Sequence, residues 1–173
     1  MRRLLLLAAL SLAACAGNGI PPPDTVARVD LARYAGRWYE IARFPNSFQD
    51  GRQRRCVGVT VDYERELDGT VSVVNRCRNA MDDGREIVAR GWARASDGTN
   101  AKLRVTFFWP FFGDYWVIAL DPQYRWAVVG TPDRENLWIL ARRPEMGAGA
   151  YSAAIGMARA EGFITANLVP TVP

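Results

Sequence analysis

The chain contains no histidine. That absence removes Ser-His-Asp and Cys-His catalysis, histidine zinc sites and a histidine pH switch together. Lysine is almost missing as well: the basic residues are 21 Arg and a single Lys, Lys102. The arginines are spread along the sequence, so a formal charge of +4 carries no nucleic-acid footprint. No apolar run is long enough to span a bilayer; residues 4–14 fall well short of the roughly 20 needed. Cysteine is limited to Cys15, Cys56 and Cys77. What remains is a chain of 173 residues, 49% hydrophobic and 23% charged, which excludes disorder as a class and suffices for one domain with a real core.

The N terminus has a basic pair, Arg2-Arg3, then the short apolar run, then Cys15, the pattern of a secretory signal. Leu12-Ala13-Ala14-Cys15 resembles the lipobox of bacterial lipoproteins. The resemblance implies that residues 1–14 are a signal peptide, removed, and that Cys15 is diacylated and becomes the first mature residue. Two or three acyl chains anchor stably where one would not. Ala16, where an Asp would argue for inner-membrane retention, favours the outer membrane, periplasmic side. The alternative is an ordinary signal peptide with an incidental Cys. Loss of Arg2 and Arg3 leaves about +2 on the mature chain. Residues 15–28, with Gly17, Gly19 and Pro21-Pro22-Pro23, read as a lipidated tether, semi-rigid and extended.

A short helical turn over 29–34, with Asp30 as N-cap, leads into a first strand at 36–44. Strict alternation puts Trp38, Glu40, Ala42 and Phe44 on one face, and neither face is uniformly apolar. That mixture suits a barrel wall. Further strands are predicted over 57–66, from Val71 through Asn75, then 86–94, 101–109, 115–120, 126–130 and 137–142, separated by turn signals such as Asp68-Gly69. Even spacing argues for an eight-stranded antiparallel up-and-down β-barrel. One C-terminal helix from Pro144-Glu145 to about Glu161, stopped by Gly162, is predicted to pack outside, with Tyr151, Ile155 and Ala158 on its inner side. A short strand around 167–169 follows.

The string Gly36-Arg37-Trp38-Tyr39-Glu40-Ile41-Ala42-Arg43-Phe44 resembles the opening signature of the lipocalins, in their bacterial, apolipoprotein-D-like branch. Ala119-Leu120-Asp121-Pro122-Gln123-Tyr124 resembles the second conserved region, departing from its commoner Thr-Asp-Tyr form, and Leu137-Trp138-Ile139-Leu140-Ala141-Arg142 the third. The likeness covers about residues 29 to 169 and marks 29–173 as a lipocalin domain.

In such a barrel the first strand begins, and the last ends, at the same mouth as the turn around Asp121. Gly36, Trp38, Asp121, Tyr124 and Arg142 therefore converge as a structural plug, with Arg142 over Trp38 as a cation–π pair of about 0.5–2 kcal/mol. The opposite, open end collects the loops at 45–55, 80–84, 110–114 and 131–136, with Phe111 and Phe112 expected exposed on one turn, free to touch a membrane, an acyl chain or the rim itself. Alternation proposes Tyr63, Asn75, Phe107, Tyr115, Val117, Trp138 and Leu140 as the ligand-binding lining, at several positions where the resemblance also places contacts. This mainly apolar calyx with a few polar tips suits one amphipathic lipid.

Cys56 and Cys77 are an even pair in an exported domain, hence a disulfide, against the alternative of two thiols serving a metal or redox site. Parity places them on opposite faces, so a bulge or frayed pairing must intervene there. The leading expectation is a non-enzymatic outer-membrane lipocalin that binds a fatty acid, lysophospholipid or similar amphiphile for storage, transport or envelope maintenance. It needs no cofactor, metal or nucleic acid, its partners are the lipid and the membrane held through Cys15, and a homodimer is left open. The alternatives are an envelope lipoprotein with no small ligand and an enzyme on a lipocalin-type barrel, for which Glu40 and Asp62 are the early candidates, Asp62 facing outward.

Overall fold

The computed structural model describes residues 20–173, so the signal and Cys15 lie outside the described residues. The order is α1 (Leu31–Tyr34), β1 (Gly36–Arg43), β2 (Cys56–Arg65), β3 (Val71–Asn79), β4 (Arg85–Ala95), β5 (Lys102–Phe108), β6 (Phe111–Leu120), β7 (Trp126–Gly130), β8 (Leu137–Ala141), α2 (Ala148–Ala160) and β9 (Val169–Pro170). Each of β1 to β8 pairs antiparallel with its neighbour, and β8 returns to β1, closing an eight-stranded barrel. Closure pairs every one of β1 to β8 on both sides, although the first part of β4, before Trp92, has no β5 partner in register. β2 pairs with β1 from Gly36 to Tyr39, and β9 pairs with the stretch beyond it, at Ala42 and Arg43.

The expected alternation of β1 fails at one point. Glu40 pairs with Leu140 and Ala42 with Ile139, so Ile41 is an extra residue. A bulge of this kind flips every side chain beyond it to the other face. Trp38 and Glu40 therefore point into the barrel, whereas Ala42 and Phe44 join the outer layer and Arg43 turns inward.

The core has two layers. The inner one fills the barrel floor with Val29, Tyr34, Trp38, Val61, Val73, Leu103, Val129 and Leu140, among others. The outer one lies between the wall and α2, where Ile118, Val128, Leu137 and Ile139 meet Ala154, Ala158 and Phe163. β7 and β8 are buried on both faces, which is why they read as continuous apolar runs. Ala154 and Ala158, fully buried, let the helix axis approach the wall closely.

Several boundaries differ from expectation. α2 starts at Ala148 with Gly147 as N-cap, because residues 144–146 are spent reversing the chain after β8. β6 begins at Phe111, not near Tyr115, so the tip joining it to β5 is tighter than a 110–114 turn. The segment around 167–169 is a 3-10 turn, Thr165–Asn167, followed by β9 two residues later than predicted. Residues expected to form part of a free tether lie against the domain: Arg134 donates to the Pro21 carbonyl at 2.7 Å, Asp24 N–H donates to Glu161 at 2.8 Å, and Val26 N–H donates to Val117 O at 3.0 Å.

Candidate functional site

The closed end is built around Trp38, which is completely buried. Arg142 lies with its guanidinium carbon 4.0 Å from the Trp38 ring centre and donates to three carbonyls: Arg37 at 2.9 Å, Arg33 at 2.6 Å and, more weakly, Tyr124 at 3.4 Å. One side chain thus ties α1, β1, β8 and the β6–β7 turn. Gly36 has φ +91°, and a Cβ there would stand 3.4 Å from the guanidinium, so both backbone and space favour glycine. Asp121 stitches its own turn, accepting from Gln123 N–H, Arg125 N–H and the Arg125 guanidinium; that guanidinium, ahead of the two amides, holds its carboxyl down at about 2. Tyr124 accepts at its hydroxyl from Asp30 N–H. Burial pulls the Arg142 pKa below its usual value.

Just above the plug, three tyrosines meet inside. The Tyr115 hydroxyl lies 2.8 Å from those of both Tyr34 and Tyr63. Burial drives all three phenols upward in pKa. Three hydroxyl protons serve two mutual bonds, so the cluster keeps one donor for a further acceptor. Tyr34 is delivered by α1 and stacks on Trp38 at 4.7 Å. Sequence reasoning saw the helical turn but not this residue; a Tyr one turn before a signature Trp was the available signal.

The open end is closed over by a buried polar network that alternation could not reveal. Arg43, turned inward by the Ile41 bulge, donates to Glu40 at 2.6 Å, to both Asp50 oxygens, to Cys56 O and to the Thr171 hydroxyl. Burial works against its charge, and the carboxylates of Asp50 and Glu40 outweigh it, raising its pKa. Gln49 then bridges the network to the wall, donating to Glu40 at 2.7 Å and accepting from Trp138 Nε1 at 3.0 Å, while Phe48 lies 6.2 Å from the Trp138 ring. The 45–55 loop is thereby pinned across the mouth. Glu40 has both oxygens engaged, one by Arg43 and Thr171, the other by Gln49, which leaves no free acid or base there. Asp62 faces outward, as expected, with Arg37 and Arg76 on it.

Between the two ends run the seven expected lining residues, and the barrel brings all of them to its inner face. Tyr63, Val117 and Leu140 belong to the inner core, Phe107, Tyr115 and Trp138 pack against it, and Asn75 lies opposite Val61 in register. Val105, Phe107, Asn75 and Trp138 point inward yet stay only half-buried. Two cavities, of about 430 and 340 Å³, lie outside this lumen, one between α2 and the β7–β8 wall and one beside Asp50 and Val172.

Cys56 and Cys77 form a disulfide. The register of β2 against β3 shifts between Val57 and Thr60, with Gly58 at φ +59°, and this bulge returns Cys56 to the side of Cys77. It also takes Val57 out of phase with Val59, Val61 and Tyr63. Of the two phenylalanines expected exposed, Phe111 is, but Phe112 packs edge-on against Trp92 at 5.2 Å. Phe108 and Trp109 are exposed instead, so Trp109 does not continue the inward row of Leu103, Val105 and Phe107.

With that geometry in place, comparison with known proteins gives a consistent result. A family model described as a lipocalin-like domain matches residues 29–173. The chain is 39% identical over 175 residues to the outer membrane lipoprotein Blc of Escherichia coli K12, covering 98% of this chain and 96% of that one. Bovine apolipoprotein D is 33% identical over 157 residues, 82% of this chain and 79% of the relative. Among solved structures, insecticyanin from the tobacco hornworm Manduca sexta superposes with a TM-score of 0.66 at 19% identity, covering 88% of this chain and 84% of that one.

Proposed function

The chain belongs to the lipocalin family, and from that premise we propose that it binds one fatty acid, lysophospholipid or similar amphiphile in its barrel while anchored to the outer membrane. In this reading residues 1–14 are removed, Cys15 carries the acyl chains on the periplasmic side, and residues 29–173 are the binding domain. The likeness to Blc, an outer membrane lipoprotein by name, supports the location. The ligand class rests on one observation: Val105, Phe107 and Trp138 face the lumen but keep part of their surface uncovered by protein. Apolar surface directed inward and left unfilled is what an acyl chain covers favourably, at roughly 25 cal/mol per Å². The tyrosine cluster and Asn75 supply the few polar partners that orient such a ligand.

Protein extracted from membranes in mild detergent tests this by native mass spectrometry before and after delipidation. A co-purifying mass in the fatty-acid or lysophospholipid range, lost on delipidation and regained with added palmitate, is expected. A barrel that takes up none of these lipids would favour an envelope lipoprotein without a small ligand.

A further inference from the structure

The tip joining β5 to β6 carries three large apolar side chains in four positions, Phe108, Trp109 and Phe111, exposed by 81, 77 and 78%. Nothing in the barrel covers them, and neither the plug nor the lining uses them. Single exposed hydrophobes are ordinary, but a contiguous aromatic group on one tip marks a contact surface. Below the tip, on the outer wall, Phe112 packs on Trp92 with the Arg94 and Arg104 guanidinium groups 5.3 and 5.8 Å from its ring. Arg90 lies two positions before Trp92, exposed on the same face of β4. Asp114 is the one acid paired here, with Arg104 at 3.6 Å. The arrangement is an aromatic tip above an arginine-rich collar.

The position of the described N terminus says what this tip meets. In an antiparallel barrel the β5–β6 tip and the β7–β8 loop lie at the same mouth. Arg134, in that loop, holds the Pro21 carbonyl, and Ile20 before it is exposed. Only residues 16–20 separate Pro21 from Cys15, a reach of about 20 Å at full extension. An acyl anchor on Cys15 would therefore hold this mouth, and not the plugged end, close to the bilayer.

We propose that Phe108, Trp109 and Phe111 insert into an anionic phospholipid surface, with Arg90, Arg94 and Arg104 against the headgroups, so that the calyx mouth faces the membrane that carries the anchor. Aromatic rings favour the interface, and basic residues near it are drawn to an anionic leaflet. The inference rests on the anchored reading above for its orientation, and the test separates the two.

Mature lipidated protein carrying Phe108→Cys or Leu67→Cys is labelled with an environment-sensitive dye. Leu67 is fully exposed on the β2–β3 turn at the opposite end. With Cys56 and Cys77 bonded to each other and Cys15 acylated, the introduced thiol is the reactive one. Each protein is mixed with phosphatidylethanolamine–phosphatidylglycerol vesicles bearing a nitroxide lipid. At position 108 the emission should shift to the blue and be quenched severalfold more than at 67, and Trp109→Ser with Phe111→Ser should abolish the difference. Equal exposure of both labels, deeper quenching at 67, or self-association through the tip in place of vesicle contact overturns the docking. Retention after a carbonate wash reports the anchor separately: a protein that washes off while position 108 still quenches refutes the anchor and keeps the docking.

Discussion

Phe107 lies across Gly91 inside the barrel, and the fit leaves no room for a side chain. A Cβ on Gly91 would stand 2.8 Å from the Phe107 ring and 2.2 Å from the Thr106 carbonyl. The second contact is backbone, so it cannot be relieved by a rotamer change. Gly91→Ala is expected to destabilise by about 1–3 kcal/mol or more, and to move Phe107 into the lumen. Urea unfolding measures the first effect, and a drop in capacity for long acyl chains the second. An unchanged midpoint would mean that β4 and β5 part here at no cost.

The two ends of β8 should separate affinity from stability. Trp138→Ala removes lumen surface four residues before Arg142, and should weaken binding of a fluorescent fatty acid tenfold or more, about 1.4 kcal/mol. Arg142→Ala leaves three carbonyls and the Trp38 face without their partner, and should cost at least about 2 kcal/mol of stability while affinity in the folded fraction is kept. The titration is run where both variants are folded. If Arg142→Ala loses binding and Trp138→Ala keeps it, the ligand enters by the other end.

Acid should act through Asp121. Its pKa falls from 3.8 to about 2 on folding, so its stabilisation is complete above about pH 4 and is lost as pH drops toward 2. The amount is on the order of 2 kcal/mol. Asp50 and Asp62, lowered by Arg43 and Arg37, shift in the same direction. Asp121→Asn should flatten the stability profile between pH 4 and 2, measured by thermal melts; a profile parallel to the parent's would remove Asp121 from the account.

Alkali should act through the tyrosine cluster. The phenols of Tyr34, Tyr63 and Tyr115 are raised above 10.0 by burial, so the stability they confer is intact below pH 10 and declines as pH rises past it. Absorbance at 295 nm should show these three ionising together with unfolding. Tyr115→Phe, which takes the shared partner from the other two, should lower the midpoint pH of that step. Smooth ionisation of all six tyrosines in folded protein would show the cluster to be open to solvent.

Much of this was legible because it depends on period and turn chemistry. Alternation alone places Tyr63, Phe107 and Trp138 inward, and strand counting brings Trp38, Asp121 and Arg142 to one mouth. Even the parity conflict between Cys56 and Cys77 is informative, since it calls for a bulge or frayed pairing, and the structure has the bulge, at Gly58. The bulge at Ile41 left no such sign. An extra residue in a strand is set by the partner strand, so Arg43 could not be seen turning inward to Glu40. The aromatic tip was misread for a related reason: β6 extends to Phe111, which hands Phe112 to Trp92 and pushes Phe108 and Trp109 out.

The latch at the mouth also sets an order of assembly. Arg43 and Glu40, on the first strand, each bond Thr171, at sequence separations of 128 and 131. Gly58 and Arg78 bond Val172 and Pro173. The buried charges of Arg43 and Glu40 stay incompletely satisfied until residues 171–173 arrive. Closing the mouth therefore joins the two ends of the domain, through contacts of long sequence separation that form slowly by their topology.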